Sequence, residues 1–140
     1  MPTIVVLEED RLLRYALTAY LRQQGYDVRE ATAPASVMDC LEHECVQAVI
    51  LDVHPAAQNV ELMKQIRSRA ELAHMPIIAI IATNSSPEIL DYLEPGDYLR
   101  IPFDMQHLGW LLRSLLAKQA GLKNNSLNTV PPGPHQDRPN

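Results

Sequence analysis

Two short runs of aliphatic residues restrict the fold of this chain more than any other feature. Residues 46–53 read Val-Gln-Ala-Val-Ile-Leu-Asp-Val, and residues 76–82 read Pro-Ile-Ile-Ala-Ile-Ile-Ala. Neither run shows the apolar–polar alternation of a strand that has one face in water. They therefore predict two strands covered on both faces, which is typical of a parallel sheet in an α/β protein.

Strand-like and helix-like segments alternate along most of the chain. The predicted strands are residues 3–7, 26–30, 46–53, 76–82 and 98–101. The predicted helices are residues 10–24, 34–44, 60–70, 87–93 and 105–120. Right-handed crossovers between successive strands then give one parallel sheet with helices on both faces. The predicted fold class is a flavodoxin-like, five-stranded α/β sheet with the strand order 2-1-3-4-5.

The C-terminal residues differ in character from the rest. Residues 123–140 contain Asn-Asn-Ser and Pro-Pro-Gly-Pro but almost no apolar residues, so burial cannot offset their ordering entropy. We expect one domain over residues 1–120 and a disordered tail over residues 121–140, with no attached output domain. The sequence shows neither a signal-peptide pattern nor an apolar stretch of membrane-spanning length, so a cytoplasmic protein without membrane contact is expected.

Acidic residues stand at the ends of two predicted strands. Glu8, Glu9 and Asp10 follow the first strand, and Asp52 ends the aliphatic part of the third. The carboxyl ends of parallel strands share one edge of the sheet, where α/β proteins bind their ligands. These residues therefore predict a carboxylate cluster at that edge. The net charge of −5 argues against a nucleic-acid partner, which would need a basic surface.

Five segments in order resemble the receiver domain of response regulators, over about residues 3–118. They are Ile-Val-Val-Leu-Glu-Glu-Asp at 4–10, Gln-Gln-Gly-Tyr-Asp-Val at 23–28, Ala-Val-Ile-Leu-Asp at 48–52, Pro-Ile-Ile-Ala at 76–79 and Gly-Asp-Tyr-Leu-Arg-Ile-Pro-Phe-Asp at 96–104. Each segment alone is a weak signal. Together, at nearly the spacing of the family, they indicate its fold strongly. The resemblance implies a role in two-component (phosphorelay) signal transduction.

The resemblance also implies roles for three residues of the carboxylate cluster and for His54. Asp52 matches the phosphoacceptor, which receives a phosphoryl group from a histidine kinase or phosphotransfer protein. Glu8 and Glu9 match the acidic pair that binds Mg²⁺ together with Asp52. The backbone carbonyl of His54 matches a further metal ligand. Because the family mostly has Asp where this chain has Glu, we expect the longer side chains to crowd and weaken an octahedral Mg²⁺ site.

Two positions depart from the family pattern in a way that affects switching. Ile81 stands where the family has a Thr or Ser at the end of the fourth strand, and Ile101 stands where it has a Lys at the end of the fifth. Thr83, two residues further on, would replace the hydroxyl only if that strand end were rebuilt. Strand alternation should direct Arg100 to the opposite side of the sheet from Ile101. We therefore expect Asp52 to be phosphorylated with weakened switching.

Two aromatic residues are candidates for the output of the domain. Tyr98 matches the aromatic residue that swings inward when the family switches, although a packed strand aromatic is an equally good interpretation. Trp110, the single tryptophan, lies beside the main apolar stripe of the last predicted helix. If exposed, it would favour a partner contact on the face of the fourth predicted helix, fifth strand and fifth predicted helix. The family resemblance associates that face with homodimers and downstream protein partners.

Other functions remain as alternatives to a phosphorylated receiver. The chain could be a pseudo-receiver that acts as a phosphorylation-independent interaction module, and Asp52 could be only a strand-end residue. An enzyme is not expected, because the segment after Asp52 lacks the second Asp of an aspartate-nucleophile phosphatase. A flavin-binding protein is excluded, because carboxylates after the first strand would repel a phosphate.

Overall fold

The computed structural model describes residues 1–52, 57–81 and 97–127, although it does not describe the side chains of residues 57, 58 and 122–127. Within these ranges it contains five strands, β1 (Thr3–Leu7), β2 (Asp27–Ala31), β3 (Ala48–Asp52), β4 (Ile77–Ile81) and β5 (Tyr98–Arg100). The helices are α1 (Arg11–Gln23), α2 (Pro34–His43), α3 (Ala57–Ser68) and α4 (Met105–Leu127), with a short 3₁₀ turn at Ala70–Leu72.

The strands form one parallel sheet in the order β2-β1-β3-β4-β5. This confirms the predicted fold class. β1 pairs with both β2 and β3, so it lies next to the centre of the sheet, and β3 pairs in turn with β4. β5 is the short edge strand beside β4.

Alternate side chains of the strands enter two separate cores. One core lies against α1 and α4, and its central members are Ile4, Val6, Leu17, Leu21, Ile50, Ile80, Leu99, Leu108 and Leu112. The other lies against α2 and α3, and its central members are Val5, Leu7, Val37, Leu51, Leu62, Met63, Ile66, Ala79 and Ile81. Because a strand turns successive side chains to opposite faces, the near-continuous aliphatic strands of the sequence are what such a two-sided core requires.

Helix α1 is one residue shorter at each end than the predicted helix over residues 10–24. Asp10 is its N-cap, and the Asp10 carboxylate accepts hydrogen bonds from the backbone N–H groups of Leu12 at 2.9 Å and Leu13 at 3.1 Å. At the other end, Gly25 adopts a positive φ of 97°, a conformation that glycine reaches without steric cost. The chain then enters β2.

The last helix is longer than predicted. The sequence analysis ended it at Ala120, but α4 continues to Leu127, seven residues into the segment expected to be a disordered tail. A glycine such as Gly121 destabilises an α-helix by only about 1 kcal/mol relative to alanine, and the preceding helical turns can offset this loss. Residues 128–140 and the predicted helix 87–93 lie outside the described ranges. None of the described helices is long and apolar enough to cross a membrane.

Candidate functional site

The sheet register places Glu8 beside Asp52. Leu7 of β1 is paired with Leu51 of β3, and Glu8 and Asp52 are the next residues of their chains. Because they lie two residues after Val6 and Ile50, their side chains point to the same face of the sheet. The side chains of Val6 and Ile50 lie in the core against α1 and α4. The predicted carboxylate cluster is therefore formed at its centre by these two side chains.

Glu8 is the buried member of the cluster, with 1% of its surface exposed. Its carboxyl group interacts with the Asp52 side chain, and Oε2 accepts a hydrogen bond from the Asp10 backbone N–H at 3.1 Å. Burial, followed by the contact with Asp52, raises the pKa of Glu8 from 4.5 to about 8. Glu8 therefore holds its proton more tightly than an exposed carboxyl group does.

The other two acids after β1 have different surroundings. Glu9 is exposed at the edge of the sheet. Asp10 is also exposed, and its carboxylate is occupied by the N-cap of α1. The three consecutive acids thus divide into a buried carboxyl, an accessible carboxylate and a helix cap.

Asn59 of α3 holds the backbone of Asp52. Its side-chain Nδ2 donates a hydrogen bond to the carbonyl oxygen of Asp52, and 5% of its surface is exposed. This hydrogen bond was not predicted from the sequence. A polar amide near the start of the helix that follows Asp52 was the available signal, but only the packing of α3 brings it back to β3.

Arg14 holds the end of β1 in a similar way. Its Nη1 donates a hydrogen bond to the backbone carbonyl of Glu8 at 2.7 Å, and its Nε lies 3.3 Å from Oε1 of Glu30 on β2. Its side chain is largely buried, with 18% exposed. This residue was also missed, because one arginine on an amphipathic helix looks like an ordinary solvated residue.

The ends of β4 and β5 are apolar where β1 and β3 are acidic. Ile81 is 2% exposed and packs in the core against α2 and α3, whereas Ile101 is 38% exposed. The Ile101 backbone N–H donates to the carbonyl of Ile81 at 2.9 Å, which continues the pairing of the strands. No ammonium group therefore occupies the fifth-strand position, as the sequence predicts.

Arg100 lies with Tyr98, not with the carboxylates. The Arg100 guanidinium carbon is 5.6 Å from the centroid of the Tyr98 ring, a cation–π contact. Tyr98 packs against the core of α2 and α3, while Leu99 between them enters the other core. This agrees with the expectation from strand alternation.

The remaining predicted residues are separated from the cluster or lie outside the described ranges. Trp110 on α4 is 58% exposed, and its ring centroid is 6.2 Å from that of His107. His54 and Thr83 belong to residues 53–56 and 82–96, which the structure does not describe.

The donor groups of the cluster suit a hard cation. Oε1 of Glu8 and Oδ1 of Asn59 are buried acceptors that have no hydrogen-bond partner, and both residues contact Asp52. Among the described residues, no three His, Cys, Asp or Glu side chains are grouped so as to hold a metal ion by themselves. Mg²⁺ does not need such a group, because it commonly binds one or two carboxylates and keeps several waters. Asp52 and the exposed Glu9 offer such carboxylates, with Glu8 buried beside Asp52.

Comparison with known proteins identifies the family. The model of the response regulator receiver domain matches residues 4–113. The chain belongs to this family. Receiver domains are signalling modules of two-component systems, which take their signal from histidine kinases or phosphotransfer proteins and pass it to downstream partners. As a class they are generally not enzymes.

Two curated relatives show how much of a response regulator this receiver domain spans. Response regulator MprA of Mycobacterium sp. (strain KMS) is 32% identical over 118 residues, which cover 82% of this chain and 50% of MprA. Transcriptional regulatory protein GltR of Pseudomonas aeruginosa is 33% identical over 119 residues, which cover 83% of this chain and 49% of GltR. The chain thus spans about half the length of the curated relatives that it matches.

A solved receiver domain has the same fold. It belongs to a sensor histidine kinase of Pseudomonas aeruginosa PAO1 and matches with a TM-score of 0.73 and 22% identity, covering 83% of this chain and 98% of that one. That structure is described with a magnesium ion coordinated in its active site cleft.

Proposed function

We propose that this receiver domain accepts a phosphoryl group on Asp52. The observation that carries the proposal is the contact between Asp52 and the buried carboxyl of Glu8 at the shared edge of β1 and β3. A strand-end residue without function would not need a second buried carboxyl group beside it, because burying ionisable groups together is costly.

The chemistry assigned to each residue follows from its position. One carboxylate oxygen of Asp52 attacks phosphorus in line. The new O–P bond forms as the P–N bond of the donor phosphohistidine breaks, and the imidazole nitrogen keeps the electron pair. Asn59 fixes the backbone from which Asp52 projects.

Mg²⁺ is the cofactor that this site would hold. Asp52 and Glu9 would bind it with the backbone carbonyl of His54, and Glu8 would support it after releasing its proton. When bound, the cation neutralises charge on the phosphoryl oxygens. We expect weaker binding than in receivers with two Asp residues, because Glu8 and Glu9 are longer and because Glu8 must first lose a tightly held proton.

We infer that phosphorylation of Asp52 is weakly coupled to conformational change. The apolar side chains of Ile81 and Ile101 offer neither a hydroxyl group nor an ammonium group to a phosphoryl oxygen. Without a hydroxyl or ammonium group that binds the phosphoryl group, phosphorylation does not favour a new rotamer of Tyr98. The contact between Tyr98 and Arg100 favours the present rotamer. Thr83 would remain the only hydroxyl candidate from the sequence.

The partners follow from the same reasoning. The phosphodonor would be a histidine kinase or phosphotransfer protein, and the output would be a contact with a downstream protein or a second copy of this chain. The exposed Trp110, with Tyr98, favours the face of β5 and α4 for that contact. The acidic net charge argues against nucleic acid, and we propose a non-enzymatic, cytoplasmic domain without membrane contact.

The alternative is a pseudo-receiver whose contacts do not depend on phosphorylation. The raised pKa of Glu8 favours it, because a protonated pair needs no cation and no phosphoryl group to be stable. The apolar residue Ile101 at the fifth-strand position favours it as well.

Incubation with acetyl phosphate and Mg²⁺, followed by intact-mass measurement, separates the two functions. We expect a mass gain of one phosphoryl group in the wild type and none in Asp52→Asn, which keeps the shape of the side chain. A control receiver domain shows that the donor is active. If the control gains mass and the wild type does not, the pseudo-receiver is the correct function.

A further inference from the structure

A cavity of about 350 Å³ lies between helix α1 and strand β2. Arg11, Arg14 and Arg22 line it together with Tyr15 and Glu30. Three guanidinium groups against one carboxylate give the cavity a net charge of about +2, although the whole chain carries −5. This concentration of positive charge has no part in the proposed chemistry of Asp52.

Glu30 occupies only a small part of the hydrogen-bonding capacity of the arginines. Its Oε1 is 3.3 Å from Nε of Arg14, and its Oε2 is 3.5 Å from Nη2 of Arg22. Each guanidinium has five N–H donors. Arg14 uses one more on the Glu8 carbonyl, and Arg22 lies 3.3 Å from the Val28 carbonyl. Several donors of both residues therefore remain for a ligand.

Arg11 and Tyr15 complete the open side of the cavity. Arg11 is exposed, and within the described part of the chain it has no ion-pair partner. The Tyr15 ring is 72% exposed, which is unusual for a large aromatic side chain and leaves one face available for stacking. The cavity thus combines cationic donors with a flat apolar surface.

We propose that this cavity binds a small organic phosphate with a planar ring, of about the size of a nucleoside monophosphate. A phosphate group has enough terminal oxygens to accept from Arg11, Arg14 and Arg22 together, whereas a carboxylate has two. The ring stacks on Tyr15. The volume lies within the range of small-molecule sites, which favours a small ligand over an acidic protein surface.

The proposal does not depend on phosphorylation of Asp52. It uses donors on α1, for which the carboxylate of Glu30 competes, and no residue of the metal-binding set. The cavity nevertheless shares Arg14 with the site, since the same guanidinium holds the carbonyl of Glu8. An anion bound to Arg14 would therefore contact the same guanidinium that holds the backbone carbonyl of Glu8 at the end of β1.

The test is a titration of the ¹⁵N-labelled full chain with AMP in the presence of EDTA, so that no metal ion links the ligand to the carboxylates. We expect saturable shifts of the arginine Nε–Hε signals of Arg11, Arg14 and Arg22 in the millimolar range. Inorganic phosphate should produce the same arginine shifts with weaker affinity, and adenosine should produce none.

Three variants of the cavity and one control outside it assign the shifts. Arg22→Gln should weaken AMP binding about tenfold, whereas Arg29→Gln, which removes an equal charge from an arginine paired with Asp27 and Glu44, should leave it unchanged. Glu30→Gln should strengthen binding several-fold, because it removes the competing carboxylate. Tyr15→Ala should weaken AMP binding but not phosphate binding.

Two results would overturn the proposal. One is the lack of any saturable shift with AMP or phosphate at tens of millimolar. The other is equal weakening by Arg22→Gln and Arg29→Gln, which would reduce the effect to general attraction between charges.

Discussion

The carboxyl ends of β1 and β3 differ sharply from those of β4 and β5, although all four meet at one edge of the same sheet. The first pair ends in Glu8 and Asp52, which contact each other. The second pair ends in Ile81, which is buried, and Ile101, which is partly exposed. In the family resemblance, the first pair carries the nucleophile and the metal ligands, and the second carries the groups that respond to the phosphoryl group.

This difference indicates that the acidic half of the site, at the ends of β1 and β3, is stabilised independently of the apolar half, at the ends of β4 and β5. The raised pKa of Glu8 favours its neutral form, which does not repel the carboxylate of Asp52. In a site with two ionised carboxylates, a bound cation would have to offset that repulsion. Asn59 and Arg14 hold the two backbone carbonyls at this end. We therefore expect variants of the acidic half to have larger effects than variants of the apolar half.

The largest effect is expected for Glu8→Gln. The pKa of Glu8 is about 8 in the folded protein and 4.5 without perturbation, so folding favours its protonated form. Its contribution to stability is complete below pH 4.5 and is lost as the pH rises through 8. Gln cannot ionise, so the variant should exceed the wild type in free energy of unfolding by about 5 kcal/mol at alkaline pH. Urea unfolding at a series of pH values measures the difference.

The control for this experiment is Glu9→Gln, which makes the same substitution at an exposed neighbour. It should change the free energy of unfolding by less than about 0.5 kcal/mol at any pH. A pH-independent difference between Glu8→Gln and the wild type would show that burial of an ionisable group does not govern the acidic half.

Asn59→Ala should give the next largest effect. It removes the hydrogen bond to the Asp52 carbonyl and leaves a buried acceptor without this donor, which should cost about 2 kcal/mol. Gln65→Ala, on the exposed side of the same helix, is the matched control and should be nearly neutral. Urea unfolding compares them, and equal losses would mean that Asn59 contributes only through helix α3.

Ile101→Lys tests whether a positive charge introduced at the end of β5 interacts with the carboxylates of the acidic half. Strand alternation puts position 101 on the face of Glu8 and Asp52, so a cation there should lower the pKa of Glu8 by about one unit, or 1.4 kcal/mol. The carboxyl ¹³C signal of Glu8 followed against pH gives this value directly. Ile101→Met, of similar length but uncharged, should leave the pKa unchanged, and a shift in both variants would point to a rearranged loop.

The smallest effect is expected for Arg100→Gln. It removes the cation–π contact with Tyr98, which is worth about 0.5 kcal/mol at an exposed site. The pKa of Glu8 should not move, because Arg100 lies on the opposite side of the sheet. A fall or rise of that pKa in the same NMR titration would show that Arg100 already serves the carboxylates.

The core of this fold could be predicted because its signals are local. Runs of aliphatic residues indicate the strands, and the periodicity of apolar residues indicates the helices. Asp10 and Gly25 lie at the two ends of α1. The C-terminal end of α4 was predicted wrongly, because helix termination at Gly121 is a balance of small energies and not a prohibition.

The site could be predicted only where sheet geometry follows from strand order. That rule brought Glu8 to Asp52. It could not find Asn59 or Arg14, whose partners are backbone carbonyls 7 and 6 residues away along the chain, reached only after a helix has packed on the sheet. Nor could it distinguish Glu8 from Glu9, since burial depends on the face that each side chain meets.

By itself, the sequence determined the strand order, the position of Asp52 at a strand end and the absence of Thr and Lys partners at positions 81 and 101, because each depends on residue identity and local pattern. Only the tertiary structure decided that Glu8 is buried and has a raised pKa while Glu9 is exposed, and that three arginines line one cavity. Those properties depend on desolvation and on charges from distant segments, and such quantities exist only after the chain has packed.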